Sequence, residues 1–264
     1  MSRVALRGTA VAKRFGRVAA LRGIDFEISA GEAIAILGAN GAGKSTLLRI
    51  LAGLSRASGG AFEALSMANG SSPLAREALR GEVGYVGHAT LLYGELSAEE
   101  NLLFAARLAG SEPGAEKIDE LLETVGLADV ATRRAGTFSR GMSQRLAIAR
   151  AVVHDPSVLL LDEPFTGLDE ASAERLSAQL ATLRAGGRTL VVVTHDPRRA
   201  VELADRALIL HRGEIRARPG PARPLSGDSP GTSTDDGATS ETFDVETLRA
   251  LLAEIDQRAR KDAA

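Results

Sequence analysis

The chain has no cysteine and no tryptophan, and aromatic residues make up 3% of it. Without cysteine there are no disulfides, no thiolate-held metal and no Cys-x-x-Cys-His haem attachment, and the redox compartment stays open. Neither charge sign dominates: 32 Lys and Arg face 34 Asp and Glu, for a formal net charge of −2. Nothing therefore draws the chain to nucleic acid or to an anionic membrane surface, and no nucleic-acid partner is expected. No apolar run approaches the ~18 residues needed to cross a bilayer, and the start, Met1-Ser2-Arg3-Val4, carries no secretory apolar stretch. The expectation is a protein that stays in the cytoplasm unless something else holds it at a membrane. Apolar residues are plentiful at 44% of 264 positions, enough for the core of one large α/β domain or two small ones.

The most informative stretch is Gly38-Ala39-Asn40-Gly41-Ala42-Gly43-Lys44-Ser45, which follows the apolar run Ala33-Ile34-Ala35-Ile36-Leu37 and precedes Thr46-Leu47-Leu48-Arg49-Ile50-Leu51. A buried strand, a glycine-rich loop and a helix in that order form a phosphate cradle for a nucleoside triphosphate. Glycines let backbone N–H groups curl toward phosphate oxygens, and the positive end of the helix faces the anion. Lys44 supplies a point charge for the outer phosphates. The Ser45 hydroxyl is a hard oxygen suited to Mg²⁺.

Around this loop, alternation in Val4–Gly8 and Leu21–Ile28 predicts half-buried antiparallel strands, while 33–37, 158–161 and 189–193 read as a parallel core. Ser97-Ala98-Glu99-Glu100 is a capping box, Pro113 and Gly114 interrupt the helical pattern, and Gly126 ends a second amphipathic stretch, so 97–126 is a helical insert. Residues 217–242, rich in Pro, Gly, Ser, Thr and Asp, are predicted to be a disordered linker. Val245, Leu248, Leu251, Leu252 and Ile255 then recur at helical spacing, giving an amphipathic tail helix over 243–261.

Downstream features decide between the many uses of a phosphate loop. Val158-Leu159-Leu160-Leu161-Asp162-Glu163 is an apolar strand ending in two acids, and the two-residue period sends consecutive side chains to opposite faces. Asp162 can reach Mg²⁺ while Glu163 faces a water in line with the terminal phosphate; alone, such acids are more often simply solvated. Phe138-Ser139-Arg140-Gly141-Met142-Ser143-Gln144-Arg145 opens a helix with small residues, an anion site or a plain cap. His195 directly follows the strand ending at Val193, where ligands gather in parallel sheets.

This ordered set, with Leu-Leu-Leu-Asp-Glu-Pro and Val-Thr-His-Asp, resembles ATP-binding cassette ATPases over residues 3–216. The resemblance implies an α/β P-loop NTPase fold with a parallel core sheet, an antiparallel β subdomain and a helical subdomain at about 88–153. It implies ATP and Mg²⁺ as ligands, with Gly38 to Thr46 holding the phosphates, Ser45 and Asp162 the metal, and Glu163 and His195 acting in hydrolysis. Asp169 in Thr166-Gly167-Leu168-Asp169 corresponds to the D-loop. Phe15 corresponds to the aromatic set against adenine, although by itself Phe15 reads as core. Two such domains pair head to tail, as a homodimer or with another ATPase domain, and Ser139, Arg140, Gly141 and Met142 of one meet the ATP of the other. Separate integral-membrane permease subunits are implied as partners, with the chain peripheral on the cytoplasmic face of the membrane.

Two positions depart from the common pattern. The signature turn reads Phe-Ser-Arg-Gly-Met where many members have Leu-Ser-Gly-Gly-Gln, and His88 stands where a glutamine usually touches Mg²⁺, a role imidazole fills poorly. The run Val86 to Leu102, with the signature turn and Asp-Glu-Pro-Phe-Thr-Gly-Leu-Asp, is similar to the ATP-binding subunit of the cytochrome c maturation haem exporter. Exporters of drugs or polysaccharide are the alternative. A soluble cassette ATPase of DNA repair or translation would carry a long coiled-coil insertion or a second set of motifs, and neither is present. In the wider family the loop after position 88 receives the membrane subunits, which marks Leu91, Leu92, Tyr93 and the helix from Ala98 as a docking surface or, equally, as ordinary core.

Overall fold

The computed structural model describes residues 4–66, 72–221 and 243–261. Its main sheet has the order β10-β9-β3-β8-β7-β6. These strands are β3 (Ala33–Leu37), β6 (Val83–Val86), β7 (Val158–Asp162), β8 (Thr189–Val193), β9 (Arg206–His211) and β10 (Glu214–Ala217). All neighbours are parallel except the edge strand β10, which returns antiparallel on β9. The core sheet is therefore mixed at one edge, because a tight turn at Arg212-Gly213 leaves no room for a crossover.

β3, β7 and β8 are buried along their whole length, and parity divides their side chains between two layers. Ile34, Ile36, Val158, Leu160, Val191 and Val193 join one apolar cluster with Leu47, Leu48 and Leu51 of α1 (Lys44–Leu51). Leu159, Leu161, Leu190 and Val192 face the other side, with Ala147, Ile148 and Val152 of α5 (Arg140–Val152) and Leu176 and Leu180 of α6 (Glu170–Ala185). Asp162 shares the parity of Val158 and Leu160, so the strand itself aims its carboxylate at the α1 side.

A second sheet, β2-β1-β4-β5, is antiparallel. Its strands are β1 (Val4–Phe15), β2 (Val18–Ser29), β4 (Gly59–Ser66) and β5 (Ser72–Pro73). β1 and β2 run longer than their alternation suggests. Register shifts between Gly8 and Val11 and between Lys13 and Arg14 break the two-residue pattern that marks a strand in sequence.

A short helix α2 (Leu79–Glu82) leads into β6, and the helical layer comprises α3 (Ala98–Leu108), α4 (Ala115–Thr124) and α5. Both arms of the capping box at α3 form: Glu100 N donates to Ser97 Oγ at 3.1 Å, and Ser97 N donates to Glu100 Oε2 at 2.7 Å. Ala98, Leu102 and Ala106 of α3 close a third apolar cluster with Ile118, Leu122 and Leu146.

A fourth cluster joins Leu248, Leu251, Leu252 and Ile255 of α8 (Val245–Lys261) to Ala200 and Ala204 around α7 (Pro197–Leu203) and to Ala35 and Ile209 of the sheet. The expectation of disorder from 217 onward fails at its start. Ala217 ends β10, Ala207 N donates to the Pro219 carbonyl at 2.9 Å, and Pro219 and Gly220 are buried against β9. Backbone pairing holds this stretch despite its composition, and the rest of the expected linker, 222–242, lies outside the described residues.

Candidate nucleotide site

The loop 38–43 leaves β3 at its carboxyl end and enters α1. Gly38 has φ +142°, and a Cβ there would sit 2.1 Å from the Leu210 carbonyl oxygen, so only glycine permits this approach. The loop is pinned from the β9–β10 turn, where Gly213 N donates to the Ala42 carbonyl at 2.9 Å. Lys44, buried at the first turn of α1, donates through Nζ to the carbonyls of Gly38 at 2.6 Å and Ala39 at 3.1 Å. Burial lowers its pKa from the ordinary 10.5, and the carboxylates of Glu163 and Asp162 partly offset this.

Ser45 Oγ donates to Asp162 Oδ1 at 3.2 Å, joining the first turn of α1 to the end of β7. One residue on, Glu163 leaves the strand in the left-handed conformation at φ +53°, with its N–H donated to the Val193 carbonyl at 3.0 Å. A non-glycine residue there carries strain of about 1–3 kcal/mol, which surrounding structure must hold in place. The turn brings Glu163 Oε2 within 2.8 Å of Nδ1 of His195, which is itself exposed. Lys44, Ser45, Asp162, Glu163 and His195 thus gather at the carboxyl ends of β3, β7 and β8, with Asp162 paired to Val193 in register.

Phe15 is 54% exposed, so it is not core; Lys13 Nζ lies 5.0 Å from its ring centroid. Ser139 is the N-cap of α5 and accepts from Met142 N at 3.3 Å, the plain-cap geometry, and the Met142 side chain packs into the helical cluster. Arg140 is exposed and lays its guanidinium on Gly167: a Cβ on Gly167, at φ +73°, would meet Arg140 Cζ at 2.6 Å. Gly141 faces Ser172, whose Oγ would be 3.1 Å from an added Cβ. Asp169 caps α6 by accepting from Ser172 N at 2.7 Å. The signature turn and the D-loop segment are therefore packed together within one chain. His88 is exposed just beyond β6.

Leu91 and Tyr93 are 60% and 53% exposed, and Tyr93 makes an edge-on ring contact with Phe104 at 4.8 Å. Leu108, one turn further along α3, is 71% exposed. α3 thus has one face in the core, through Ala98, Leu102 and Ala106, and exposed apolar side chains, Phe104 and Leu108, on the other.

Sequence reasoning missed Arg199, whose guanidinium bridges Glu170 and Glu202 and covers Phe165. No spacing announces it, because Glu170 and Phe165 lie on another part of the chain. It also missed the buried ion pair Arg206–Glu32 at 2.6 Å, which ties β9 to the start of β3.

The ABC transporter family profile matches residues 21–166. The sulfate/thiosulfate import ATP-binding protein CysA of Methylococcus capsulatus is 41% identical over 212 residues, covering 78% of this chain and 60% of its own length. The spermidine/putrescine import ATP-binding protein PotA of Hahella chejuensis is 39% identical, covering 78% of this chain and 56% of its own length. The Nod factor export ATP-binding protein I of Rhizobium sp. is 37% identical over 84% of this chain and 72% of its own. Among solved structures, the ATP binding subunit of an ABC transporter aligns with TM-score 0.75 at 28% identity, over 96% of this chain and 99% of its own. A dimeric ATP-binding cassette in a post-hydrolysis state, bound to ADP and Pi, aligns with TM-score 0.71 at 28% identity, over 81% of this chain and 98% of its own. The chain belongs to the ABC transporter family, as an ATP-binding cassette. It spans about 60% of the length of the CysA relative.

As such a cassette it takes ATP with Mg²⁺. The donor set fits that ion: one hydroxyl and one carboxylate oxygen lie 3.2 Å apart, and a hard cation that keeps waters and phosphate oxygens needs few protein ligands. Among the described residues no helix is long and apolar enough to cross a membrane.

Proposed function

We propose that this chain is the ATP-hydrolysing subunit of a membrane transporter and works as a pair, two copies or one copy with a second cassette. The observation that carries this is the meeting of Ser45 with Asp162 and of Glu163 with His195 beside one phosphate loop. In this reading Lys44 and the backbone of residues 38–46 hold the phosphates, and Phe15 offers its open ring to the base. Mg²⁺, when bound at Ser45 and Asp162, neutralises charge developing on the phosphate oxygens.

Glu163 orients a water in line with the γ-phosphorus and accepts its proton as the new P–O bond forms and the bond to ADP breaks. His195 holds the Glu163 carboxylate and contacts the γ-phosphate. Ser139 to Met142 of the partnered cassette close the other side of the nucleotide, so loss of the γ-phosphate weakens the pair. The dimeric form of a cassette similar to this chain supports the pairing itself.

Leu91, Tyr93, Phe104 and Leu108 form the apolar surface that receives separate membrane subunits, placing the chain on the cytoplasmic face of the membrane. The finer reading, export of haem for cytochrome c maturation, rests on the run 86–102 and the Phe-Ser-Arg-Gly-Met turn. A second reading, export of another cargo, is favoured by the Nod factor relative, which is covered over more of its length than the CysA and PotA relatives.

The test is to purify the chain from membranes with its companions and to assay ATP turnover with Mg²⁺. Co-purifying membrane subunits and turnover lost in Glu163→Gln support the function. Turnover equal in Glu163→Gln and wild type overturns the assigned base. Normal c-type cytochromes in a deletion strain overturn the haem reading and leave the transporter class in place.

A further inference from the structure

Three segments must keep fixed relative positions for the proposed hydrolysis: the turn after β7 that presents Glu163, the D-loop that ends at Asp169, and the loop after β8 that presents His195. The side chain of Arg199 reaches a residue just beyond each of the first two, from the helix that continues the third. In the first turn of α7, it donates through Nη2 to Glu170 Oε1 at 2.6 Å, the residue after Asp169. Its Nη1 donates to Glu202 Oε2 at 2.8 Å on its own helix. Its guanidinium carbon lies 5.5 Å from the ring centroid of Phe165, two residues after Glu163. Its own helix begins directly after Asp196, the neighbour of His195. The Arg199 side chain is only 11% exposed, although its two acids lie at the surface.

We propose that Arg199 is a positioning residue for the Glu163–His195 pair, and this rests on the reading of that pair as the hydrolytic one. Short turns carry the chain from Glu163 to Leu168, through Thr166 N to the Glu163 carbonyl at 3.2 Å and Leu168 N to the Phe165 carbonyl at 3.2 Å. Phe165 and Leu168 also pack against the second apolar cluster, so the placing of Phe165 bears on the path of the turn. Glu163 is in a strained conformation, and strain persists only where neighbours over-determine it. The planar guanidinium meets two acids along its edges while its face rests on Phe165. A lysine supplies the charge but cannot do all three. If Arg199 only added surface charge, its pairs with exposed acids would contribute little, and lysine would serve equally well.

The experiment measures kcat and KM for ATP, nucleotide affinity and the unfolding midpoint for Arg199→Ala, Arg199→Lys and Glu170→Gln in the full chain, beside Glu163→Gln. The expected result is a kcat lowered about tenfold or more in Arg199→Ala, since small misplacement of catalytic groups is costly, with KM and nucleotide affinity within about twofold. Arg199→Lys restores the midpoint but not kcat, and Glu170→Gln lowers kcat in part. Unchanged kcat in Arg199→Ala overturns the proposal, as does full recovery of kcat in Arg199→Lys. Full activity in Glu163→Gln would instead remove the reading beneath it.

Discussion

Ser45 and Asp162 are 117 positions apart in sequence, and the hydroxyl of one donates to the carboxylate of the other at 3.2 Å. The contact arises from strand parity, because Asp162 extends the row Val158, Leu160 that faces α1. Asp162→Asn removes a charged oxygen while keeping the shape. The Mg²⁺ concentration for half-maximal ATP turnover should rise about tenfold or more, the effect of losing one charged contact of about 1.5 kcal/mol, while metal-free nucleotide binding changes little. A Mg²⁺ titration of turnover checks this.

Lys44 is buried against its own loop, with its pKa lowered from 10.5 by desolvation. Lys44→Ala should abolish ATP binding in a fluorescent-nucleotide titration. Linkage sets the sign of the pH effect: between the lowered folded-state pKa and 10.5 the unfolded chain binds more protons than the folded one. Wild-type stability relative to Lys44→Met should therefore be level below that window and rise with pH inside it. Denaturant midpoints of both proteins from pH 7 to about 10.5 test the direction.

Gly167 combines φ +73° with the guanidinium of Arg140 lying on its Cα. Gly167→Ala should destabilise the chain by about 1–2 kcal/mol, from the left-handed backbone and from displacement of Arg140. In an Arg140→Ala background the second part disappears and the loss becomes smaller. A double-mutant cycle on unfolding free energies measures the difference.

The capping box at α3 gives a prediction separate from the nucleotide site. Ser97→Ala removes the hydroxyl that accepts from Glu100 N and should lower stability by about 1 kcal/mol with ATP affinity unchanged. Chemical denaturation beside a nucleotide titration checks both halves.

Much of the centre could be read from the sequence because its chemistry is local and punctuated. The strand 33–37, the glycine loop and the strand-end pair Asp162-Glu163 carry their roles in consecutive residues, and period 2 separates Asp162 from Glu163, while the fold shows that the Asp162 side is the one facing α1. The capping box likewise named its helix. The features that escaped depend on contacts far apart in sequence. β4, β9 and β10 gain their identity from partners in the sheets, and the register shifts of β1 blurred its alternation. The residues 217–221 look like linker by composition yet are held by the pairing of Ala217 with β9, by the Arg218 side chain on the Asp25 carbonyl, and by the bond from Ala207 N to the Pro219 carbonyl. Arg199 resembles any helical arginine until Phe165 and Glu170 are brought beside it by the fold. The left-handed turn at Glu163, which delivers its carboxylate to His195, has no glycine to announce it.

The seating of Arg140 on Gly167, and of Gly141 on Ser172, brings the mouth of α5 and the entry to α6 together within one chain. In the proposed pair, a displacement at Ser139 would therefore be passed within the same chain to the start of α6, which Asp169 caps.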